Sequence, residues 1–247
     1  MTATVTALWR HPIKAIGREA VERVTLEAGQ TMPWDRHWAV AHQKSSADGS
    51  EWVPCGNFLR AVNIPTLMAV EADTDEARGR VTLRHVDRPE VTLDPVTDEA
   101  ELLAWLQPLT AGSPFQPARV VRAASRGLTD SAMPSITLCN AASHADMAGR
   151  AGRELSIHRW RGNIWIDGFA PWEEFDWIGR EVRIGDATLA VRERTGRCKA
   201  THADPDTGIR DIDMLGLLSA LGHQDFSVQA EVTRSGAVAI GDTVELL

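Results

Sequence analysis

Apolar residues recur along most of the chain in short alternating runs, and that pattern predicts strands. In the first third the runs cover residues 5–9, 21–26, 38–41, 67–70, 81–83 and 91–93, separated by turn residues. Between 98 and 109 the period lengthens. There Leu102, Leu103, Leu106 and Leu109 share one face of a predicted helix, and Pro108 limits its end. Residues 110–117, with Gly112, Pro114 and Pro117, read as a linker between a unit at 1–110 and a second at 118–247.

The second unit opens with a predicted strand at 136–139. Ser143, followed three residues later by Asp146, reads as a capping-box start of a helix running to Gly149 or Gly152. Further strands are expected at 164–166, 182–184, 189–191, 226–232 and 237–246. Asp213 is positioned to cap a helix at 214–221 that stops at Gly222. The sum is a mostly β protein with several helices (α+β), and many short strands at close spacing are arranged most economically as a closed barrel.

Composition narrows the function. A chain of 247 residues, 43% of them hydrophobic, buries a core without disulfide or metal staples. A net charge of −8 argues against nucleic-acid partners, which select a basic face. Cys55, Cys139 and Cys198 lie too far apart for a disulfide framework or a metal knuckle, which suits a reducing compartment. No apolar run reaches the roughly 18 residues of a membrane span, and Trp9-Arg10-His11 interrupts the start where a signal peptide needs its apolar core. A cytoplasmic protein without membrane contact is expected. Dinucleotide-binding, P-loop, zinc-protease and serine-hydrolase motifs are absent.

The chemistry concentrates at Cys198. Arg192, Arg194, Arg197 and Lys199 surround it in the run VRERTGRCK, and such positive charge favours the thiolate and draws anions. On residues alone, a lone cysteine in a basic run is more often a structural or incidental thiol than a catalytic one. His202 and Asp204 raise a zinc site or a Cys–His nucleophile pair, but no cluster supplies further ligands. Asp204-Pro205-Asp206-Thr207-Gly208 reads as a turn rather than a calcium loop. Lys14, Arg36 and the segment Arg159-Trp160-Arg161-Gly162-Asn163 would complete an anion pocket if the fold gathered them. Arginine suits bidentate phosphate contact and asparagine suits a heterocycle edge, so a phosphorylated pterin fits the set.

Six segments in order carry a family resemblance: LWRHPIKAI, PWDRHWAV, TDSAMPSITLCNAAS, RWRGNIWIDG, TGRCKATHADPDTG and the ending FSVQAEVTRSGAVAIGDTVELL. On these the chain resembles MOSC-domain proteins with an N-terminal β-barrel unit, relatives of the mitochondrial amidoxime-reducing component. The resemblance implies a MOSC β-barrel packed with an N-terminal barrel-like domain, and a molybdenum cofactor (Mo-molybdopterin) with Cys198 as the metal's protein ligand. It implies that Lys14, Arg36 and Arg161 hold the cofactor phosphate and pterin, with Asn163 beside them and Ser143 donating at a helix N-terminus. Asp130 would be a catalytic group, either supporting the metal's ligands from behind or standing on the substrate side. The implied activity is reduction of small N-hydroxylated molecules. Electrons would come from a separate protein of flavin, ferredoxin or cytochrome type, since three cysteines cannot hold an iron–sulfur cluster of four thiolates. The alternative from another class is a non-catalytic carrier of the cofactor or of sulfur. Pyridoxal phosphate is not an expected ligand. Departures from the family pattern are Ala15 in place of serine, Gly162 in place of proline, and the segment WVPCGNFLRAVNIP, which lacks a threonine–glutamine–arginine pattern and offers Arg60 instead.

Overall fold

The computed structural model describes residues 2–247. Its strands in chain order are β1 Thr4–Arg10, β2 Glu19–Val21, β3 Arg23–Leu26, β4 Trp38–His42, β5 Glu71–Asp75, β6 Arg80–His85, β7 Arg88–Leu93, β8 Pro117–Arg122, β9 Ile136–Asn140, β10 Ile164–Asp167, β11 Glu181–Ile184, β12 Ala187–Gly196, β13 Asp225–Arg234, β14 Gly236–Ala239 and β15 Val244–Leu246. Three α-helices, α1 Glu99–Leu106, α2 Ala141–Ala151 and α3 Met214–Ser219, complete a mostly β architecture. None of the described helices is long and apolar enough to cross a membrane.

Eight strands form the main sheet in the order β15-β11-β12-β13-β9-β10-β1-β2. Period-two alternation gives it two unlike faces. Ile136 and Leu138 of β9 and Val228 and Ala230 of β13 point into an apolar core shared with Leu8, Ile164 and Val191. The residues between them, Thr137 and Gln229, face the other way and line a cavity. The sheet curls but does not close into the barrel expected from the strand spacing. Thr4 forms one bridge with Thr243, and Val5 N–H donates to Asp242 O at 2.9 Å. Gly241 N–H donates to Val5 O at 2.8 Å and Val244 N–H to Ala3 O at 2.9 Å, but the seam stays short, because β2 takes the Leu8–Arg10 part of that edge and β15 is only three residues long.

The two halves of the chain are interleaved. β3 pairs with β14 from the far end of the sequence, and β4 pairs with β8, which begins inside the expected linker. A three-stranded β5-β6-β7 sheet packs with α1 around a second core that includes Leu67, Leu83, Leu102 and Leu106. Each fully buried leucine of this kind contributes on the order of 2 kcal/mol of apolar burial.

Several local expectations are corrected. Residues 65–69 form a 3₁₀ turn rather than a strand, because Pro65 presets the first helical φ and Leu67, Met68 and Ala69 are all buried without alternation. The run at 21–26 splits at Glu22 between two sheets, and the run at 237–246 splits into β14 and β15 around the Gly241 turn. Helix α2 starts earlier than Ser143. Its N-cap is Asn140, whose side chain accepts from Ala142 N–H at 3.0 Å. Asp213 caps α3 as expected, accepting from Gly216 N–H at 3.0 Å.

Candidate functional site

A cavity of about 380 Å³ lies on the polar face of the main sheet, where the first half of the chain covers it. Lys14, Arg36, Asp130, Arg161, Asn163 and Cys198, all singled out from sequence, line this one space. Its size falls at the lower end of small-molecule sites.

Lys14 sits in the turn after β1, pinned by its own N–H donating to Trp38 O at 2.7 Å and by buried Ile13 and Ile16 on either side. Its ammonium is 5% exposed and donates to Leu128 O at 2.7 Å and to the Asp130 carboxylate. Burial pulls the Lys14 pKa below the usual lysine range, with Asp130 opposing it. Asp130 itself, exposed on the loop between β8 and β9, is held below the usual carboxylate range by the charges of Lys14, Arg36 and Arg161.

Arg36 is aimed by its neighbour. The buried Asp35 carboxylate accepts from His11 N–H at 2.8 Å and from the Arg36 guanidinium. Burial would raise the Asp35 pKa, yet Arg36 and His11 hold it well below the usual carboxylate range. The other end of Arg36 donates to Arg161 O at 3.1 Å. Arg161 caps the 3₁₀ turn Ile157–Trp160, and its Nη2 is buried without a partner. Burial, reinforced by the charge of Arg36, lowers its pKa to about 9. Ala15, Arg36 and Arg161 adopt left-handed φ of 64°, 52° and 48°. Non-glycine residues held there store strain of order 1 kcal/mol or more, and such strain concentrates at ligand sites.

Asn163 lines the cavity, but its amide is committed to the sheet, accepting from Thr137 N–H at 3.1 Å and donating to Trp9 O at 3.2 Å. It registers β9, β10 and β1 rather than offering free groups. Gly162 before it explains one departure from the family pattern: a Cβ there would stand 2.1 Å from Cys139 Sγ. Cys139 is buried, and burial pushes its thiol up to about 12, which leaves it inert.

Cys198 is exposed at the start of the 3₁₀ turn Lys199–His202, and its carbonyl accepts from Thr201 N–H at 3.1 Å. The basic run around it is not the charge cluster that sequence suggested. Among Arg192, Arg194, Arg197 and Lys199, only Arg197 lines the cavity. Arg192 pairs with Glu231 at 2.8 Å, and Arg194 lies over the Phe175 ring at 4.1 Å. Arg192 and Arg194 are two residues apart on β12, whereas Arg197 follows the strand's end at an odd spacing from both. Arg197 donates to Trp160 O at 2.8 Å and to Phe226 O at 2.7 Å, so it braces the chain just before Cys198. Burial lowers its pKa to about 10.

Ser143 is not brought to the cavity. It is fully buried in α2, where its hydroxyl donates to Glu174 Oε2 at 2.8 Å and accepts from Trp172 N–H at 2.7 Å. The His202 ring accepts from Leu215 N–H at 3.3 Å beside Asp213, and no group of three or more metal-binding side chains occurs among the described residues. Cys55, Arg60, Thr195 and Gln229 line the cavity without having been weighted as site residues from sequence, although Arg60 was noted in its segment. Arg60 Nη1 lies 3.8 Å from Cys55 Sγ. Five buried polar atoms on residues that line the cavity, Arg60 Nε, Arg159 Nε, Arg161 Nη2, Thr195 Oγ1 and Gln229 Oε1, have no partner among the described residues. Ligands recruit such atoms, because leaving them unpaired costs about 1–3 kcal/mol each. The cavity therefore offers anion-binding guanidinium and ammonium groups, a donor and an acceptor for a heterocycle, and two thiols, the exposed Cys198 and the half-buried Cys55.

Comparison with known proteins gives two family matches. A model described as the MOSC N-terminal beta barrel domain matches residues 2–111, and one described as the MOSC domain matches residues 128–245. The chain is 33% identical over 129 residues to mitochondrial amidoxime-reducing component 1 of Mus musculus, covering 47% of this chain and 37% of the relative. It is 33% identical over 76 residues to mitochondrial amidoxime reducing component 2 of Bos taurus, covering 31% of this chain and 22% of the relative. The matches thus span well under half of these relatives' length. Among solved structures, the YUAD protein of Bacillus subtilis aligns at a TM-score of 0.47 and 12% identity, over 100% of this chain and 96% of that one.

Proposed function

The chain belongs to the MOSC-domain family, with that family's N-terminal beta barrel domain, and from this premise we propose that it is a molybdenum-cofactor-binding oxidoreductase that reduces small N-hydroxylated molecules, with Cys198 as the molybdenum ligand. The division into units 1–110 and 118–247, a cytoplasmic location and a separate electron-donor protein belong to the same reading. The observation that carries it is the solvent-facing Cys198 thiol on a cavity whose other walls are Lys14, Arg36 and Arg161.

The residues fit the cofactor. A phosphate would take the free Nη2 of Arg161 together with Arg36 and Lys14, which the strained backbone already holds in place. Thr195 and Gln229 would meet the heterocycle with one hydroxyl and one amide oxygen, both unpaired among the described residues. A soft thiolate suits a thiol-ligated redox metal. When bound, the cofactor would supply the two-electron chemistry that reduction of an N–OH group to N–H and water requires.

The chain's own residues would orient and exclude. Asp130 stays ionised at neutral pH, so it serves as a hydrogen-bond acceptor for a substrate N–H rather than as a proton donor. Asn163 and Arg197 position the walls through backbone contacts. Ser143 has no cofactor role in this reading, because its hydroxyl is already used by Glu174 and Trp172.

The test is molybdenum and pterin content of wild type and Cys198→Ser, made in a host that synthesises the cofactor, with benzamidoxime turnover driven by a reduced viologen dye. Near-stoichiometric metal in wild type, lost from the variant, with turnover is the expected result. Metal without turnover supports the carrier alternative, and no metal or pterin in either protein overturns the proposal.

A further inference from the structure

The turn Asp204–Gly208, which the proposed chemistry does not use, lies on the loop that carries Cys198, and two buried arginines grip that loop from opposite sides. Arg159, 2% exposed, donates to both carboxylate oxygens of Asp211 at 2.8 Å and to Asp204 at 3.2 Å. It also reaches Thr201 O and His202 O at 3.4 Å. Arg18, from the first half of the chain, donates to Pro205 O and Met68 O, and to Asp206 and Glu71 at 2.9 Å. The loop is stiffened within itself by Asp204 N–H to Ile209 O at 2.8 Å and Asp211 N–H to His202 O at 3.0 Å. It is seated so closely on the first half that a Cβ on Gly208 would stand 2.5 Å from Thr66 Cα.

We propose that Arg18 and Arg159 are positioning residues that fix the direction of the Cys198 thiol by clamping the loop from 199 to 211 between the two halves of the chain. The inference rests on Cys198 being the metal ligand. Neither arginine touches the thiol; each acts through the backbone that presents it. Planar guanidinium forks hold several acceptors at once, a geometry that lysine cannot reproduce. The arrangement also gives the first half of the chain a task at the site beyond lining it, since Arg18, Thr66 and Val62 all bear on the loop, the last by accepting from Arg210.

Two measurements test this. In cofactor-free protein, amide exchange at Asp204, Gly208 and Asp211 should speed up at least tenfold in Arg18→Met and in Arg159→Met, with β9 and β13 unchanged and Arg159→Lys only partly restored. Asp206→Ala, which removes one exposed end of the clamp, covers the case in which the arginine variants fail to fold and should show a smaller acceleration of the same amides. In the cofactor-free protein, Arg18→Met should change the alkylation rate of Cys198 about tenfold and that of Cys55, on the same cavity, less than about twofold, because the clamp acts on the loop that presents Cys198. Equal changes at both thiols would make Arg18 a general stabiliser and overturn the proposal, as would unchanged exchange. Absence of molybdenum from the wild type instead overturns the functional reading, and the clamp on the loop is then judged by exchange and alkylation alone.

Discussion

The carboxyl of Glu174 and the guanidinium of Arg161 are both withdrawn from solvent, and the chain treats them differently. Glu174 Oε2 takes donors from Asn140 Nδ2 at 2.9 Å and Ser143 Oγ at 2.8 Å beside the start of α2. Burial raises its pKa despite those bonds, so the group can relieve a poor environment by keeping its proton. Arg161 has no such exit, because a pKa lowered to about 9 still leaves it charged at neutral pH. Arg161 lines a cavity shared with Lys14 and Arg36, and its buried Nη2 has no partner among the described residues. The helix N-terminus that sequence marked as an anion site already has its carboxyl, supplied by the chain. The cavity sets one lining carboxylate, Asp130, against Lys14, Arg36 and Arg161, and that surplus of positive charge separates a binding site from a structural polar cluster.

Breaking the closed cluster should cost the most stability. Ser143→Ala removes a donor to Glu174 and an acceptor for Trp172 N–H, leaving two buried groups short of a partner. A loss of about 2–3 kcal/mol is expected, measured by urea unfolding, with molybdenum content of the folded fraction unchanged. A variant that folds normally and loses the cofactor would reverse the contrast and return Ser143 to the cavity.

The open cavity should respond in the opposite sense. Arg161→Met relieves a buried cation crowded by Arg36, so stability should hold or rise by about 1 kcal/mol while molybdenum retention falls more than tenfold. A fall in stability together with intact retention would show that Arg161 is structural. The same asymmetry has a pH signature. Because the folded pKa of Glu174 is raised above its ordinary value of 4.5, the native state binds the extra proton, and stability declines as pH rises from that value through the raised one. Asp35 works the other way: its folded pKa is depressed, so its contribution is present above 3.8 and is lost as pH falls through the depressed value. Glu174→Gln should flatten the first slope and leave the acid limb intact, as read from urea midpoints across pH.

Much of this contrast was legible in the sequence, but not its sorting. Lys14, Arg36, Arg161 and Cys198 stood out because each is a chemically committed residue in a short polar segment, and the strands that gather them show clear alternation. What the sequence could not show was where each hydrogen bond ends. Ser143 and Arg197 have the right chemistry for anion contact, yet their partners are Glu174, 31 residues away, and Phe226, 29 residues away. Thr195 and Gln229 carry no signal of their own, since an exposed and an orphaned polar residue on a strand look alike until the opposite wall is in place. The strand β5 was missed for a related reason: in Glu71–Asp75 only Ala72 is buried.

The smallest expected effect concerns the one carboxylate that the open cavity does possess. Asp130 pairs with Lys14 while its own side chain remains 77% exposed. It therefore contributes little to folding, and Asp130→Asn should change stability by less than about 1 kcal/mol. Its charge nevertheless occupies part of the field that Lys14, Arg36 and Arg161 would direct at an anionic ligand, as their common influence on its ionisation indicates. Removing that charge should strengthen binding of inorganic phosphate to the cofactor-free protein by a few-fold, measured by calorimetry at low ionic strength, with the gain shrinking as salt screens the cluster. If Asp130 instead shapes the pocket wall, phosphate binding will weaken or stay constant, and the cavity will resemble the Glu174 cluster more closely: a site whose charges were already matched within the chain.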